Sequence, residues 1–476
     1  MKLLNPLNRE CRIGVLGFGM SGKTVFLTSL LNHIKYHRRE EFSFPKDAKG
    51  NVCEIRGVNV RTPKLSPPWR EFPYAVYRGT LGNTENHDWP TRTIDCSRTT
   101  IDFRVEGWQT NYSLTFFDIP GERVGDIAML GNDYRTWSLS QMNWLITTHA
   151  KRPQTAIREF LDVADNAPTD KSADELVEFY KRAMISIAVD AGNNITPSTF
   201  LLDNAGKRFL DKHKTVSDLS VLSPAYYARL LPQCTSGLQG KELAPLGQLW
   251  FQQKGQPCVE KFQKNYKAYN DEIVTPLFGT LISCDALAVL IDIPYILEYR
   301  YPASHNDTVS FLDDIFRGLK PDNRYLPWLL SAGQRRRIKR VAFIASQCDR
   351  FHCDDWDKLE KMTFELARTP LRNNLYVTGE SFCCSSVIST GRVDSGILSA
   401  KHPDETVYPF KSFRIPDAWN RGWPADNQWK SYLEKNGGEP PEIHQVAPCY
   451  PSVLSDVPRQ YNLDAILQFL TGWGAK

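Results

Sequence analysis

Gly17-Phe18-Gly19-Met20-Ser21-Gly22-Lys23-Thr24 constrains this chain more than any other stretch. It fits the pattern of glycine, four free positions, then glycine-lysine-threonine. An apolar run, Ile13-Gly14-Val15-Leu16, precedes it, and Phe26, Leu27, Leu30, Leu31 and Ile34 follow at helical spacing. Strand, glycine loop, helix is the context in which this motif becomes a phosphate cradle. The glycines let the backbone aim successive N–H groups at a phosphate, and the helix start adds partial positive charge. Contacts are expected from Gly17, Gly19, Met20, Ser21, Gly22, Lys23, Thr24 and Val25. Lys23 would bridge the outer phosphates and the Thr24 hydroxyl would ligate Mg²⁺. The plainer reading is a glycine-rich turn that binds nothing.

At 476 residues the chain has room for two to three domains. Its 41% hydrophobic and 24% charged residues are those of a globular protein, and a net charge of +4 is too small to argue for nucleic acid. The cluster Arg335-Arg336-Arg337-Ile338-Lys339-Arg340 reads as a solvated loop before a strand, or as a contact for a phosphate-rich surface or acidic partner. Eleven scattered cysteines without a CxxC pair suggest reduced thiols in a cytoplasmic protein. Cys348, His352 and Cys353 lack a second ligand pair nearby, so no zinc site is expected. Met1 to Glu10 has no apolar segment of the signal-peptide kind. The longest apolar stretch, Ala286 to Leu297, carries Asp292 and falls short of the ~20 residues a transmembrane helix needs. Membrane contact is therefore expected only peripherally, at the inner membrane, through a partner.

Short apolar strands alternating with amphipathic helices predict an α/β sheet flanked by helices. The expected strands are Ile13–Leu16, Ile101–Glu106, Tyr112–Asp118, Ala286–Asp292, Val341–Ser346 and Leu375–Val377. Residues 1–146 and 277–476 are expected to form one core, with a mostly α-helical domain, 147–276, inserted between them. Helical spacing in that insert falls at Ala156–Ala164, Ala173–Ala188, Ala205–Lys214 and Pro224–Leu231. Residues 38–88, with Pro63, Pro67, Pro68 and Pro73, read as an irregular insert, and 391–455 as elaborated loops.

A second motif narrows the chemistry. The buried-strand pattern Tyr112–Phe117 ends in Asp118-Ile119-Pro120-Gly121-Glu122. An Asp at such a strand end, with Gly three residues on, is how switch GTPases hold magnesium and reach the γ-phosphate. The alternative is a strand followed by a common Pro-Gly turn. Glu122 stands where a water-orienting Gln is usual; its charge would repel the γ-phosphate, so slow hydrolysis is expected. In Trp89-Pro90-Thr91-Arg92-Thr93, Thr93 (or Thr91) is the candidate switch threonine over Mg²⁺. Arg92 is a candidate arginine finger in cis, or an ordinary loop residue. After Val341–Ala345 comes Ser346-Gln347-Cys348-Asp349. Asp349 can pair with the N1–H and 2-amino group of guanine, while Gln347 replaces the usual Lys. Ser385 and Ser386, in Cys383-Cys384-Ser385-Ser386, could offer a backbone N–H to the guanine carbonyl, or form a plain loop.

Taken together, these motifs resemble those of the YcjX family of bacterial stress proteins, which are Ras-like P-loop proteins. Pro90-Thr91-Arg92-Thr93 matches the family's Pro-x-Arg-Thr element, and Asp118–Glu122 is similar to its Asp-Tyr-Pro-Gly-Glu. Tyr134-Arg135-Thr136-Trp137-Ser138 resembles its aromatic-x-x-Trp-Ser helix, and Cys284-Asp285 its Asp-led strand. Leu463 to Gly472 is close to its C-terminal helix. The chain departs from the family at Gly17–Met20, where Gly-Leu-Ser-Arg is commoner, and at Ser346-Gln347, within the family's Thr-Lys-Ala-Asp. The resemblance implies a Ras-like P-loop NTPase fold, GTP/GDP binding, Mg²⁺, slow hydrolysis, a cytoplasmic location and a stress role. A protein effector is expected, with a membrane protein among the candidates. Two other readings stay open: a P-loop ATPase or phosphotransferase, and a nucleotide-stabilised scaffold with negligible turnover.

Overall fold

The computed structural model describes residues 8–61, 68–83, 85, 89–90, 96–108, 110–151, 154–166, 171–191, 196–198, 240–253, 255–298, 301–319, 338–372, 377–401, 406–419 and 422–473. The expected helices at 205–214 and 224–231 lie outside them. The chain divides into two compact units. The first comprises Met1–Pro120, Leu281–Phe316 and Arg335–Lys476; the second comprises Gly121–Thr280 and Arg317–Gln334.

The first unit is built on one sheet. Its strands are β1 (Asn8–Gly17), β2 (Ile55–Arg61), β3 (Arg70–Glu71), β4 (Ser97–Val105), β5 (Asn111–Asp118), β6 (Ala286–Ile291), β7 (Arg340–Ala345) and β8 (Thr378–Cys383). They run in the order β2-β4-β5-β1-β6-β7-β8, with β3 beside β4. From β5 to β8 every pairing is parallel, and β4 is antiparallel to β5 and β2. β6 is buried at every position, as its unbroken Ala-Leu-Ala-Val-Leu-Ile requires of a parallel strand covered on both faces.

Alternation along the strands sorts the two faces. Ala288, Leu290, Ala342 and Ile344 share a core with Phe26, Leu27, Leu30 and Leu31 of α1 (Lys23–Lys35). The same core takes Ile466, Leu467 and Leu470 from the terminal helix Leu463–Thr471. On the other face, Phe343 meets Phe316 at 5.8 Å, from the helix Ala303–Gly318. Gly379 of β8 backs onto Leu371 of the helix Trp356–Arg372.

The structure moves several expected boundaries. β4 starts at Ser97, before the expected Ile101, and β8 runs over Thr378–Cys383, just after the expected Leu375–Val377. β8 is an edge strand with Thr, Gly, Glu and Ser, so it lacks the apolar run that marks its neighbours. The insert 38–88 is not wholly irregular: β2 and the helix Tyr74–Leu81 lie in it. β2 is mostly exposed and is held by its ladder to β4, so burial leaves little trace in its sequence. Likewise 391–455 contains an antiparallel sheet of β9 (Thr390–Asp394), β10 (Ile397–Lys401) and β11 (Val407–Lys411), and a helix, Asp426–Lys435.

The second unit is helical in its described residues, with Tyr134–Lys151, Thr155–Ala164, Ala173–Ala191 and Pro257–Tyr269 as its longest elements. Tyr134, Trp137, Phe262 and Tyr266 form an aromatic cluster in it. Fully buried Asp126 accepts hydrogen bonds from Thr196 Oγ1 (2.8 Å), Ser198 N (2.8 Å), Ser198 Oγ (2.6 Å) and Tyr269 Oη (2.7 Å). Burial pushes its carboxyl above the usual range, and the Ser198 and Tyr269 donors oppose that shift.

One buried titratable group in the first unit sets a pH limit. His33 of α1 stacks on Phe42 at 5.0 Å, and burial lowers its imidazole to about 4 despite the nearby Asp464. The folded state therefore holds His33 neutral while the unfolded chain protonates it. Its stabilising contribution is complete above the unfolded value of 6.5 and is lost as pH falls toward 4. The loss amounts to about 3 kcal/mol. Urea denaturation at pH 7 and pH 4.5 should show a shallower acid decline for His33→Gln than for the unaltered chain; parallel declines would exclude His33 as a cause.

Candidate functional site

The glycine loop leaves β1 at its buried carboxyl end, between β5 and β6. Gly17 has φ 149°, and a Cβ there would lie 2.5 Å from the Leu290 carbonyl oxygen and 2.6 Å from Ser21 Oγ. Only glycine fits. Gly22 has φ 82° and caps the start of α1, where Phe26 N donates to its carbonyl at 2.8 Å. Met20 also takes a left-handed conformation, φ 69°, and is exposed. Ser21 Oγ donates to the Phe18 carbonyl at 2.8 Å. Lys23 is buried and its Nζ donates to the Gly17 and Phe18 carbonyls, both at 2.8 Å. The loop thus curls around its own lysine. Gly19 and Thr24 are half-buried, and Val25 packs against Leu81, Val387 and Tyr450.

Parallel register brings the other strand ends to the same edge of the sheet. Asp118 closes β5, fully buried, opposite Val15 of β1 and Ser97 of β4. Asp292 follows β6 and accepts the Tyr295 amide at 3.0 Å. Burial raises its pKa, against the pull of Arg350. Ser346 follows β7 and donates its amide to the Ile291 carbonyl at 3.0 Å. Gln347, at φ 59°, donates Nε2 to the Met20 carbonyl (3.3 Å) and to Asp292 Oδ2 (3.4 Å). It ties the loop after β7 to the glycine loop.

Asp349 is buried. Its Oδ1 accepts Ser385 Oγ at 2.7 Å and its Oδ2 accepts the Ser389 amide at 2.9 Å. Burial raises its pKa, opposed by these two donors and by Arg350. The structure thus brings Asp349 and Ser385 together, but through the serine hydroxyl. The Ser385 amide is engaged elsewhere, donating to the Tyr461 carbonyl at 3.3 Å, so of the two expected amide donors Ser386 is the one without that bond. Gly121 and Glu122 begin the second unit, in the turn Gly121–Met129. Thr91, Arg92 and Thr93 lie outside the described residues.

Two contributors escaped the sequence reading. Arg350 is buried; its Nε donates to the His444 carbonyl (3.0 Å), and its Nη2 lies 3.6 Å from Glu298 and donates to the Ile443 carbonyl. It also reaches Gln347 Oε1 at 3.3 Å. Asp292 completes this group. Neither stands out in sequence, because the partners that tie them to the rest of the site, Glu298, Ile443 and His444 for Arg350 and Gln347 for Asp292, are more than fifty residues away. His352, Cys353 and Asp354 bring ligand-type atoms within 4.8 Å of one another. His352 Nδ1 is however occupied by the Asp354 amide at 3.4 Å, as the cap of the turn Cys353–Asp355.

A family model described as YcjX-like matches residues 11–394, which span the glycine loop, Asp118 and Asp349. The chain belongs to the YcjX-like family. Residues 395–473, which include the Ile443–His444 segment held by Arg350 and the terminal helix over β6 and β7, lie beyond that match. Among the described residues no helix is long and apolar enough to cross a membrane.

The close approach at Gly17 makes a direct test possible. Gly17→Ala should force β1 and β6 apart, cost about 1–3 kcal/mol, and lower the melting temperature. An unchanged melting temperature would mean that the contact with Leu290 yields freely.

Proposed function

We propose that this chain is a guanine-nucleotide-binding P-loop NTPase of the Ras-like kind, with slow Mg²⁺-dependent hydrolysis of GTP, acting as a nucleotide-dependent switch. The observation that carries this reading is the glycine loop itself. It opens α1 at the carboxyl end of a central parallel strand, with Asp118 at the end of the strand beside it. Open α/β sheets bind ligands at that end. The strand order, with β4 antiparallel beside the parallel strands, supports the same fold class.

Each residue then has a part. Lys23 exchanges its bonds to the Gly17 and Phe18 carbonyls for the outer phosphates. The hydroxyl of Thr24 and the carboxylate of Asp118 are oxygen donors suited to a hard cation; they would hold Mg²⁺, which would supply charge neutralisation for the phosphates. Asp349 receives the base through the lone pairs that Ser385 and Ser389 leave open, while those donors hold its carboxylate in place. Gln347 makes a polar tie to Met20 where a lysine is usual, and contributes no charge. Glu122 orients water and repels the γ-phosphate, which keeps turnover slow. Thr93 and Arg92 belong to the same proposal, as switch threonine and arginine finger. Protein effectors would read the two nucleotide states, in the stress-response setting suggested by the resemblance to stress proteins.

Titration with fluorescent GTP, GDP and ATP analogues, with and without Mg²⁺, tests the reading. Guanine nucleotides should bind at least tenfold more tightly than ATP, a difference of about 1.4 kcal/mol. Asp349→Asn should narrow that preference, and Lys23→Ala should weaken all three by ~100-fold or more, about 2.7 kcal/mol. Equal or better ATP binding would favour a general ATPase. Tight GTP binding with no phosphate release in long incubations would favour a nucleotide-stabilised scaffold. Normal GTP affinity in Lys23→Ala would remove the site altogether.

A further inference from the structure

The helix Trp356–Arg372 and β8 border a groove of about 630 Å³. Asp357, Glu360, Lys361, Phe364 and Glu365 line its helical wall. Their spacing of three and four puts them on one face of the helix. Gly379, Glu380 and Ser381 form the β8 side. The volume falls in the ~300–1,000 Å³ range of ligand clefts.

Three features of this groove point to the same kind of occupant. The first is charge. Four carboxylates (Asp357, Glu360, Glu365 and Glu380) line it with a single ammonium, Lys361, in a chain whose net charge is +4. Among the described residues, Glu365 alone of these carboxylates has an ion pair, to the exposed Arg368 at 3.3 Å. Burial raises the pKa of Glu360, and the neighbouring Asp357 and Glu380 raise it further. Like charges crowded in this way gain when a cation arrives. The second is Ser381. It is 8% exposed and its Oγ has no hydrogen-bond partner among the described residues, although it lines the groove. A buried hydroxyl left unsatisfied is destabilising, and a ligand that bonds it would recover that cost.

The third is the strand edge. β8 ends the sheet, and no described strand pairs with its outer side. The Thr378 and Cys384 amides donate toward β7, to Lys339 and Ala345. By the two-residue period, the backbone groups of Gly379, Ser381 and Cys383 face outward. At Cys383 that edge is closed: Glu360 accepts its amide, and Asn462 Nδ2 donates to its carbonyl at 2.9 Å. Gly379 and Ser381 remain, both in the groove. Phe364, 49% exposed, stands beside them as an apolar contact. An extended chain could add to this edge by main-chain hydrogen bonds, as in other strand-addition interfaces.

We propose that the groove between the helix Trp356–Arg372 and the free edge of β8 docks an extended, arginine- or lysine-rich segment of a partner protein. The segment adds as a strand beside Gly379 and Ser381, bonds the Ser381 hydroxyl, sets basic side chains against Asp357, Glu360 and Glu380, and rests an apolar one on Phe364. The proposal does not depend on the nucleotide reading, and its test needs no nucleotide.

The full chain should be titrated with a fluorescein-labelled arginine–valine hexapeptide of alternating sequence, read by anisotropy. Three comparators are a glutamate–valine hexapeptide, the arginine–valine peptide N-methylated at alternate residues, and Mg²⁺ as competitor. The plain peptide is expected to bind at least tenfold more tightly than either altered peptide, and to slow amide hydrogen exchange at Gly379 and Ser381. The exposed pair Asp357→Lys and Glu380→Lys should weaken it at least tenfold with circular dichroism unchanged. Phe364→Ala, a smaller change at an exposed site, should weaken it several-fold if the double variant does not fold. Equal binding of the N-methylated peptide would overturn strand addition. Displacement by millimolar Mg²⁺ without any change in exchange at Gly379 and Ser381 would reduce the groove to a cation site.

Discussion

At Gly17 the backbone of β1 passes the Leu290 carbonyl so closely that no side chain fits between them. The rest of the first unit depends on that approach. It holds β1 in parallel register with β6, and β6 in turn aligns β7 and β8. Because every strand from β5 to β8 points the same way, their carboxyl ends share one edge. Asp118, the glycine loop, Asp292, Gln347, Asp349 and Ser385 are all delivered there from separate parts of the chain. Their proximity is a consequence of strand direction and register, and no local contact could have produced it.

Along that edge three buried charged groups have named partners. Lys23 is satisfied by carbonyls of its own loop, and Asp349 by a hydroxyl and an amide. Arg350 spans Glu298 and two carbonyls of the segment at Ile443–His444. A buried ion whose partner is removed costs several kcal/mol, so these arrangements hold the loops in defined positions. Gln347 adds a neutral link between the loop after β7 and the glycine loop. Asp126 plays a comparable structural part inside the helical unit, where four hydrogen bonds hold its carboxylate.

Much of the sheet was legible in the sequence because its central strands are buried on both faces and so read as apolar runs. β1, β5, β6 and β7 overlap the expected segments for that reason. The edges were not legible. β2 is mostly exposed, and β8 mixes polar residues with a buried end, so neither presents the run or alternation that marks a strand. Both are held by ladders to neighbours far away in sequence. The short strands β9 to β11 differ: they pair with one another locally, as an antiparallel meander in a region expected to be loop.

For the candidate site the division is similar. The spacing of Gly17, Gly22, Lys23 and Thr24, and the Asp that ends an apolar strand, are local patterns, and the sequence by itself determined them: they follow from what one strand–turn–helix can do. The motifs together were also enough to suggest the YcjX-like family. Tertiary structure alone decided that Asp349 meets Ser385 through its hydroxyl, that the Ser385 amide is taken by Tyr461, and that Arg350 anchors the segment at Ile443–His444. These contacts join residues 36 to 94 positions apart. Sequence periodicity reports which face of an element is buried, whereas the partner met on that face depends on the register of strands that only the folded sheet defines.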